Sequence, residues 1–170
     1  YKWRVRLGKW CPWRCWCYHE NVMLLHFKNL IIRDLQALRL EVSSFTEDSF
    51  IWNKLPGTVN SAGHLTLHLV GNLNHFIGAG LGKTGYIRNR ENEFTSAPIS
   101  KTELLKEVDE CITTIEISFA QVSDGDLQKD FPLPWREGLF YNTHFMLVQL
   151  TAHLNYHLGQ VNYLRRYFNA

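Results

Sequence analysis

A long helical pattern near the end of the chain decides the fold, and it spans residues 143–168, THFMLVQLTAHLNYHLGQVNYLRRYF. Its apolar residues recur at three- and four-residue steps and so share one face: Leu150, Leu154, Leu158 and Val161. Asn142, a residue type that caps helix N-termini, stands directly before the pattern. The sequence therefore predicts a long amphipathic helix with one face packed against a core.

The same periodicity predicts three helices upstream. The first covers residues 23 to about 42, and the second covers about 62 to 81, after Ser61 as its cap. The stretch Ser100-Lys-Thr-Glu103 has the pattern of a capping box, in which the serine hydroxyl and the glutamate carboxylate satisfy free amides at a helix start. It predicts a third helix over about residues 101–122.

The connections between these helices indicate how they are arranged. Residues 45–60 contain Pro56-Gly57 and are predicted to form a turn region, and the polar stretch 82–99 is long enough for a crossover. Three glycines allow close approach to the second helix: Gly63, Gly71 and Gly78. With no convincing strand beyond the first residues, the sequence predicts an all-α fold, a four-helix bundle with a long crossover connection between helices two and three.

Composition limits the class of protein. The chain has 170 residues, 45% of them hydrophobic and 20% charged, as in one globular domain. No apolar run approaches the roughly 20 residues needed to span a bilayer, and no secretory signal is recognised, so we expect a cytoplasmic protein without membrane contact. Residues 1–22 carry a balance of +4 within a net charge of +2, which leaves the remainder mildly acidic and argues against nucleic-acid binding.

The N-terminal segment, residues 1–22, differs from the rest and is set apart from a bundle predicted over 23–170. It holds four of the six tryptophans and three of the four cysteines: Cys11, Cys15 and Cys17. The cysteine spacing lacks the paired rhythm of a zinc ribbon. The segment is interpreted as an edge strand, as a membrane-surface or metal-binding arm, or as a non-native region translated upstream of Met23. The remaining cysteine, Cys111, is expected to be a small buried hydrophobe.

Histidines are the candidate functional residues. His153 and His157 are four residues apart on the last helix, so both project from one face and can bind one ion through neutral imidazole nitrogens. Such a pair also arises by chance, but this one adjoins the apolar stripe, where histidines need partners. Helix two offers His64, His68 and His75, among which spacing does not choose. Three histidines would leave a coordination position open, as in catalytic metal sites.

Three separated motifs carry a resemblance to a known family: HLTLHLVGNLNHFIGAGLG, RNRENEF and AHLNYHLGQVNYLRR. Together they resemble the DinB-like superfamily of bacterial metal-binding four-helix bundles, in the branch with an HLxGNL motif, over about residues 23–170. The resemblance implies that the histidine of HLxGNL, which is His68, joins His153 and His157 as a metal ligand. It also implies that His64 and His75 are not ligands.

Four neighbours of this site are further candidates. Gln160 could hydrogen-bond a metal-bound water or a ligand, or pack against backbone, and Asn72 could orient a ligand or cap a facing helix. Arg88 and Arg90 belong to RNRENEF. With the glutamates of that segment they could border the site and steer an anionic substrate, or form a salt-bridge cluster that anchors the loop.

The resemblance also implies a function. A divalent ion held by neutral imidazoles can acidify water or polarise a thiol, and zinc or nickel is favoured, although iron and other ions also suit imidazole. Relatives implied by the resemblance include thiol-dependent transferases and isomerases. We expect a metal-dependent enzyme acting on a small molecule, as a transferase using a low-molecular-weight thiol or as a hydrolase, or else a non-catalytic metal- or small-ligand-binding bundle. The hydrolase is disfavoured because there is no HExxH motif and carboxylates such as Glu137 are on loops. Helix faces that the bundle leaves uncovered would allow a homodimer.

Overall fold

The computed structural model describes residues 22–135 and 138–170. The predictions made for the N-terminal segment before Val22, and for Glu137, lie outside the described residues. Within those two ranges all the regular elements are helical, and β-pairing is limited to isolated bridges such as Asp130 with Asn142. The α-helices are α1 (Val22–Ser43), α2 (Asp48–Trp52), α3 (Ala62–Leu73), α4 (Asn92–Thr95), α5 (Lys101–Phe119) and α6 (Thr143–Phe168), with a π-helix over Asn74–Leu81 and a 3₁₀ turn over Asp124–Asp126.

Four long helical elements form the bundle predicted from the sequence. Helix α1 packs against α5 and α6, and α3 with its π-helical continuation packs against the same two helices from the other side. Helices α1 and α3 therefore lie mainly across the diagonal of the bundle. The core between them is closed by fully buried side chains from all four elements, among them Leu35, Leu69, Ile115 and Leu150.

The predicted crossover is confirmed by the direction of the helices. A Cβ added at Gly78 would meet Thr114, and one added at Gly82 would meet Ser118, so the second and third long helices run parallel. A parallel pair cannot be joined by a short turn. Residues 82–100, called the crossover segment below, return along the length of the bundle before α5 begins.

The predicted helix starts are also confirmed. Ser61 accepts a hydrogen bond from the backbone of His64, and Asn142 accepts one from Phe145 at 2.8 Å. Ser100 and Glu103 form the complete capping box. The third long helix ends at Phe119, three residues before the predicted end, because the chain turns into the loop that leads to the 3₁₀ turn.

The second long helix departs from the prediction in its last eight residues. The prediction of one α-helix over residues 62–81 is wrong from Asn74 onward, where a π-helix begins. Gly82 donates its backbone N–H to the carbonyl of Ile77, five residues earlier, as a π-helix requires. Glycines at positions 78 and 82 allow the widened turn to lie against α5 without a Cβ clash.

Two short helices lie in segments predicted to be irregular. Helix α2 falls within the predicted turn region, where Ile51 is buried and the Trp52 ring lies over Gly63. Trp52 also donates its indole N–H to the carbonyl of Ile99, which fastens the crossover segment to this end of the bundle. Helix α4 lies within the crossover segment and turns Glu93 inward. Among the described helices, none has the length and apolarity to cross a membrane.

Candidate metal centre

Three histidines from two antiparallel helices converge near the middle of the bundle. One ring nitrogen from each of His68, His153 and His157 lies within 4.8 Å of the others. The Nε2 atoms of His68 and His153 are 3.2 Å apart, and the rings of His153 and His157 are 4.7 Å apart between centroids. His68 is 6% exposed, whereas the other two are half-buried. The structure thus brings together the three histidines that the sequence singled out.

The local helix geometry explains this convergence. His153 and His157 are one turn apart on α6, and the fully buried Leu150 and Leu154 fix the rotation of that helix. On α3, the buried Leu69 fixes the rotation of the helix in the same way, and with it the direction of His68. The apolar stripes therefore position the polar side chains between them.

The two other histidines of the second helix are used elsewhere. His64 Nδ1 is 2.8 Å from the hydroxyl of Ser61, and its ring meets Trp52 edge-on. His75 packs edge-on against Phe76. Burial lowers the pKa of both imidazoles, so both are neutral at pH 7. Neither belongs to the cluster, in agreement with the prediction.

Glu93 selects the ring nitrogen of His68 that carries the proton. The carboxylate oxygen Oε2 is 2.8 Å from His68 Nδ1. Because a carboxylate only accepts, Nδ1 carries the proton and Nε2 keeps its lone pair, which faces the cluster. A carboxylate that orients a histidine in this way is typical of protein metal sites.

Arg88 holds Glu93 in place. Its Nε and Nη2 atoms donate to the two carboxylate oxygens at 2.6 and 2.8 Å, a two-pronged ion pair. Burial alone would raise the pKa of the Glu93 carboxyl, but the hydrogen bonds from Arg88 and His68 outweigh it and lower the pKa, so Glu93 stays ionised. This is the salt-bridge anchor that the sequence offered as one alternative for Arg88.

Gly71 makes room for this carboxylate. A Cβ at position 71 would overlap Glu93 Oε1 and lie within 2.9 Å of its Cδ. Gly71 of HLVGNL and Glu93 of RNRENEF therefore form one packed unit with His68. The close approach expected for Gly71 is confirmed, whereas the contact from Glu93 to His68 was not predicted.

Gln160 plays a corresponding part for His157. Its Oε1 atom is 2.7 Å from His157 Nδ1, so the ring donates from Nδ1 and keeps its lone pair on Nε2. Burial lowers the pKa of His157, and the hydrogen bond with Gln160 opposes this shift. The structure shows a contact of Gln160 that was not predicted, with the histidine ring itself, and its bond to a metal-bound water or ligand stays a prediction.

The donor set fits a divalent cation. The rings of His68 and His157 donate hydrogen bonds from Nδ1, so the Nε2 atom of each neutral ring keeps a lone pair that can bind an ion. Two imidazole nitrogens 3.2 Å apart repel one another unless a proton or a cation lies between them. Neutral imidazole nitrogen is a favoured ligand of zinc, nickel and iron, and three of them leave room for a further ligand.

A cleft of about 580 Å³ opens from the cluster to solvent. Its walls are formed by His68, Asn72, Phe76, Arg88, Arg90, Trp135, Gln149 and His153. Asn72 is 3% exposed, and among the described residues no donor reaches its Oδ1 atom. Its role in orienting a ligand or capping a facing helix stays a prediction. Phe76, Trp135 and Gln149 were missed, because no local pattern marks a residue that faces a cleft from another element.

The fold and the site together define a class: an all-helical bundle with a three-histidine cluster under a crossover segment. A family model described as a protein of unknown function, DUF1572, matches residues 35–170. The match covers most of the chain, and the protein belongs to this family. The matched range includes all three histidines and Glu93. No curated protein and no solved structure matches the chain.

Proposed function

We propose that the protein is a metal-dependent enzyme of the DinB-like superfamily, with one divalent ion held by His68, His153 and His157. The observation that carries the proposal is the convergence of three imidazole nitrogens on a cleft open to solvent. A purely structural metal site is usually closed by four protein ligands, whereas this set leaves a position facing the cleft. Zinc or nickel is the favoured ion.

A bound ion would supply Lewis acidity, which stabilises the anionic form of a thiol or of water. The residues around it favour a thiol. Glu93 is the carboxylate that contacts the cluster within the described ranges, and Arg88 and His68 already occupy its oxygens. A hydrolase needs a base to deprotonate water, whereas a thiol ionises far more readily. We therefore propose a transferase that uses a low-molecular-weight thiol.

The protein side chains would prepare the site in three ways. Glu93 and Gln160 hold two of the imidazoles in the orientation and tautomer that binding requires. Phe94 packs on His68 with 4.8 Å between ring centroids, and Trp135 meets His153 edge-on. These aromatic rings exclude water from two sides of the cluster, which strengthens electrostatic interactions there.

Elemental analysis of purified variants tests the proposal. His68→Ala, His153→Ala and His157→Ala are each expected to lose stoichiometric metal, whereas the matched control His75→Ala retains it. Circular dichroism confirms that each variant is folded. Retention of stoichiometric metal in all three variants would refute the site.

A second assay addresses catalysis. The wild-type protein is incubated with a panel of small thiols and electrophiles, and loss of free thiol is followed with and without metal. Turnover that disappears in His68→Ala supports the transferase. Stoichiometric metal binding without turnover of any combination of thiol and electrophile would instead favour a non-catalytic binding protein.

A further inference from the structure

Arg90 is a cation on the cleft wall with no counter-charge bound to it among the described residues. Its guanidinium carbon lies 5.7 Å from the centre of the Phe94 ring. In the described part of the chain it forms no ion pair, in contrast to Arg88, whose prongs are both taken by Glu93. A guanidinium that is exposed and unpaired keeps its donors available for a bidentate contact with a carboxylate.

The surroundings of Arg90 strengthen its attraction for an anion. None of the described residues that line the cleft is aspartate or glutamate. The Arg88 charge is balanced by Glu93, so Arg90 sets the sign of the field from this wall. Phe94 contacts both Arg90 and His68, which places the guanidinium within reach of a small molecule that also reaches the histidines.

Asn72 adds a second fixed point. It follows His68 by one helical turn, is almost fully buried, and offers to the cleft an amide oxygen that accepts from no donor in residues 22–135 and 138–170. A buried acceptor of this kind calls for a hydrogen-bond donor from a ligand. Phe76 and Trp135, with 5.2 Å between ring centroids, supply a flat apolar wall beside it.

We infer that the substrate is a small carboxylate-bearing molecule, with its carboxylate on Arg90 and a hydrogen-bond donor on Asn72. The inference rests on the proposed function, since the reacting end of the molecule lies at the histidines. Arg90 determines specificity, since the charge of Arg88 is already balanced by Glu93.

Binding of two matched thiols to the cobalt-loaded protein tests the inference. The probes are 3-mercaptopropionate, which is anionic, and 3-mercaptopropanol, which is neutral and of the same length. Binding is measured from the absorbance that cobalt shows when a thiol sulfur coordinates it. The wild-type protein is expected to prefer the anionic probe by about tenfold, as a partly exposed charge-assisted hydrogen bond provides.

The variant Arg90→Gln is expected to lose this preference while binding 3-mercaptopropanol as before. Arg166→Gln, which removes an exposed arginine in the last turn of α6, is the matched control and keeps the preference. Equal affinity of the wild-type protein for both probes, or a preference that survives Arg90→Gln, would overturn the inference alone. Failure to bind cobalt, or to bind either thiol, would overturn the proposed function and the inference with it.

Discussion

Replacing Gly71 with alanine tests the unit formed by Gly71, Glu93 and His68. The added Cβ would overlap the Glu93 carboxylate. A free glutamate would swing aside at little cost, but this one is held by Arg88 at 2.6 and 2.8 Å and by His68 at 2.8 Å. The substitution therefore breaks part of a buried, charged hydrogen-bond network.

The size of the effect follows from two opposing contributions. Alanine stabilises a helix interior by about 1 kcal/mol relative to glycine. Loss of a hydrogen bond to a charged group destabilises by about 2–3 kcal/mol. Gly71→Ala should therefore lower the free energy of unfolding by roughly 1–2 kcal/mol. In a Glu93→Ala background the clash is absent, and the same change should raise that free energy by about 1 kcal/mol.

Urea denaturation of the four proteins, followed by far-UV circular dichroism with a chelator present, measures both values. The sign reversal between backgrounds is the expected result, with a coupling of about 2–3 kcal/mol. Without chelator, Gly71→Ala should also weaken metal binding by about 10- to 100-fold, as loss of a supporting hydrogen bond does. If Gly71→Ala changes the free energy of unfolding equally in both backgrounds, the substitution does not act through the Glu93 carboxylate, and the reasoning is refuted.

Three further predictions concern other parts of the molecule. Asn72→Leu removes a buried acceptor that no donor in the described part of the chain satisfies, so thermal unfolding should show a gain in stability of about 1 kcal/mol or more; a loss would show a structural role. Burial raises the pKa of the Cys111 thiol to about 12, so peptide mapping after alkylation at pH 8 should find it unmodified in the folded protein and modified in denaturant. Hydrogen bonds from Lys129 and Ser123 hold the pKa of Asp126 below its ordinary value. The stabilisation that these bonds provide is present above the pKa of the unfolded state and should be lost as the pH falls through the pKa of the folded state. An NMR titration that finds no lowered pKa for Asp126 would contradict this.

The sequence predicted elements best where a cap and an uninterrupted period agree. The last helix has both, with Asn142 before it and an apolar stripe throughout, and its predicted bounds match the structure. The π-helix could not be predicted, because the apolar spacing of NHFIGAGL is compatible with an α-helix as well. Helix α2 has five residues, too few for a period to be recognised.

The site shows the same division between local and tertiary information. Spacing on one helix indicated the pair His153 and His157, but the choice of His68 over two neighbours depended on a resemblance. The structure gives the physical reason why His64 is excluded: its ring contacts the Ser61 hydroxyl and packs edge-on against Trp52. The contact from Glu93 joins two motifs through a connection with little regular structure, and no periodicity predicts such a contact.

The parallel pairing of the second and third long helices has a consequence for how the chain folds. In a bundle of simple helical hairpins, most contacts form between neighbours in sequence, and folding is fast. Here the contacts of His68 join residues 25 and 85 positions apart, to Glu93 and to His153. The first contact requires that the crossover segment has returned along the bundle, and the second requires that α6 has docked, so a loop must close before each of them. The complete histidine site with its supporting carboxylate therefore forms only when both of these distant segments are in place.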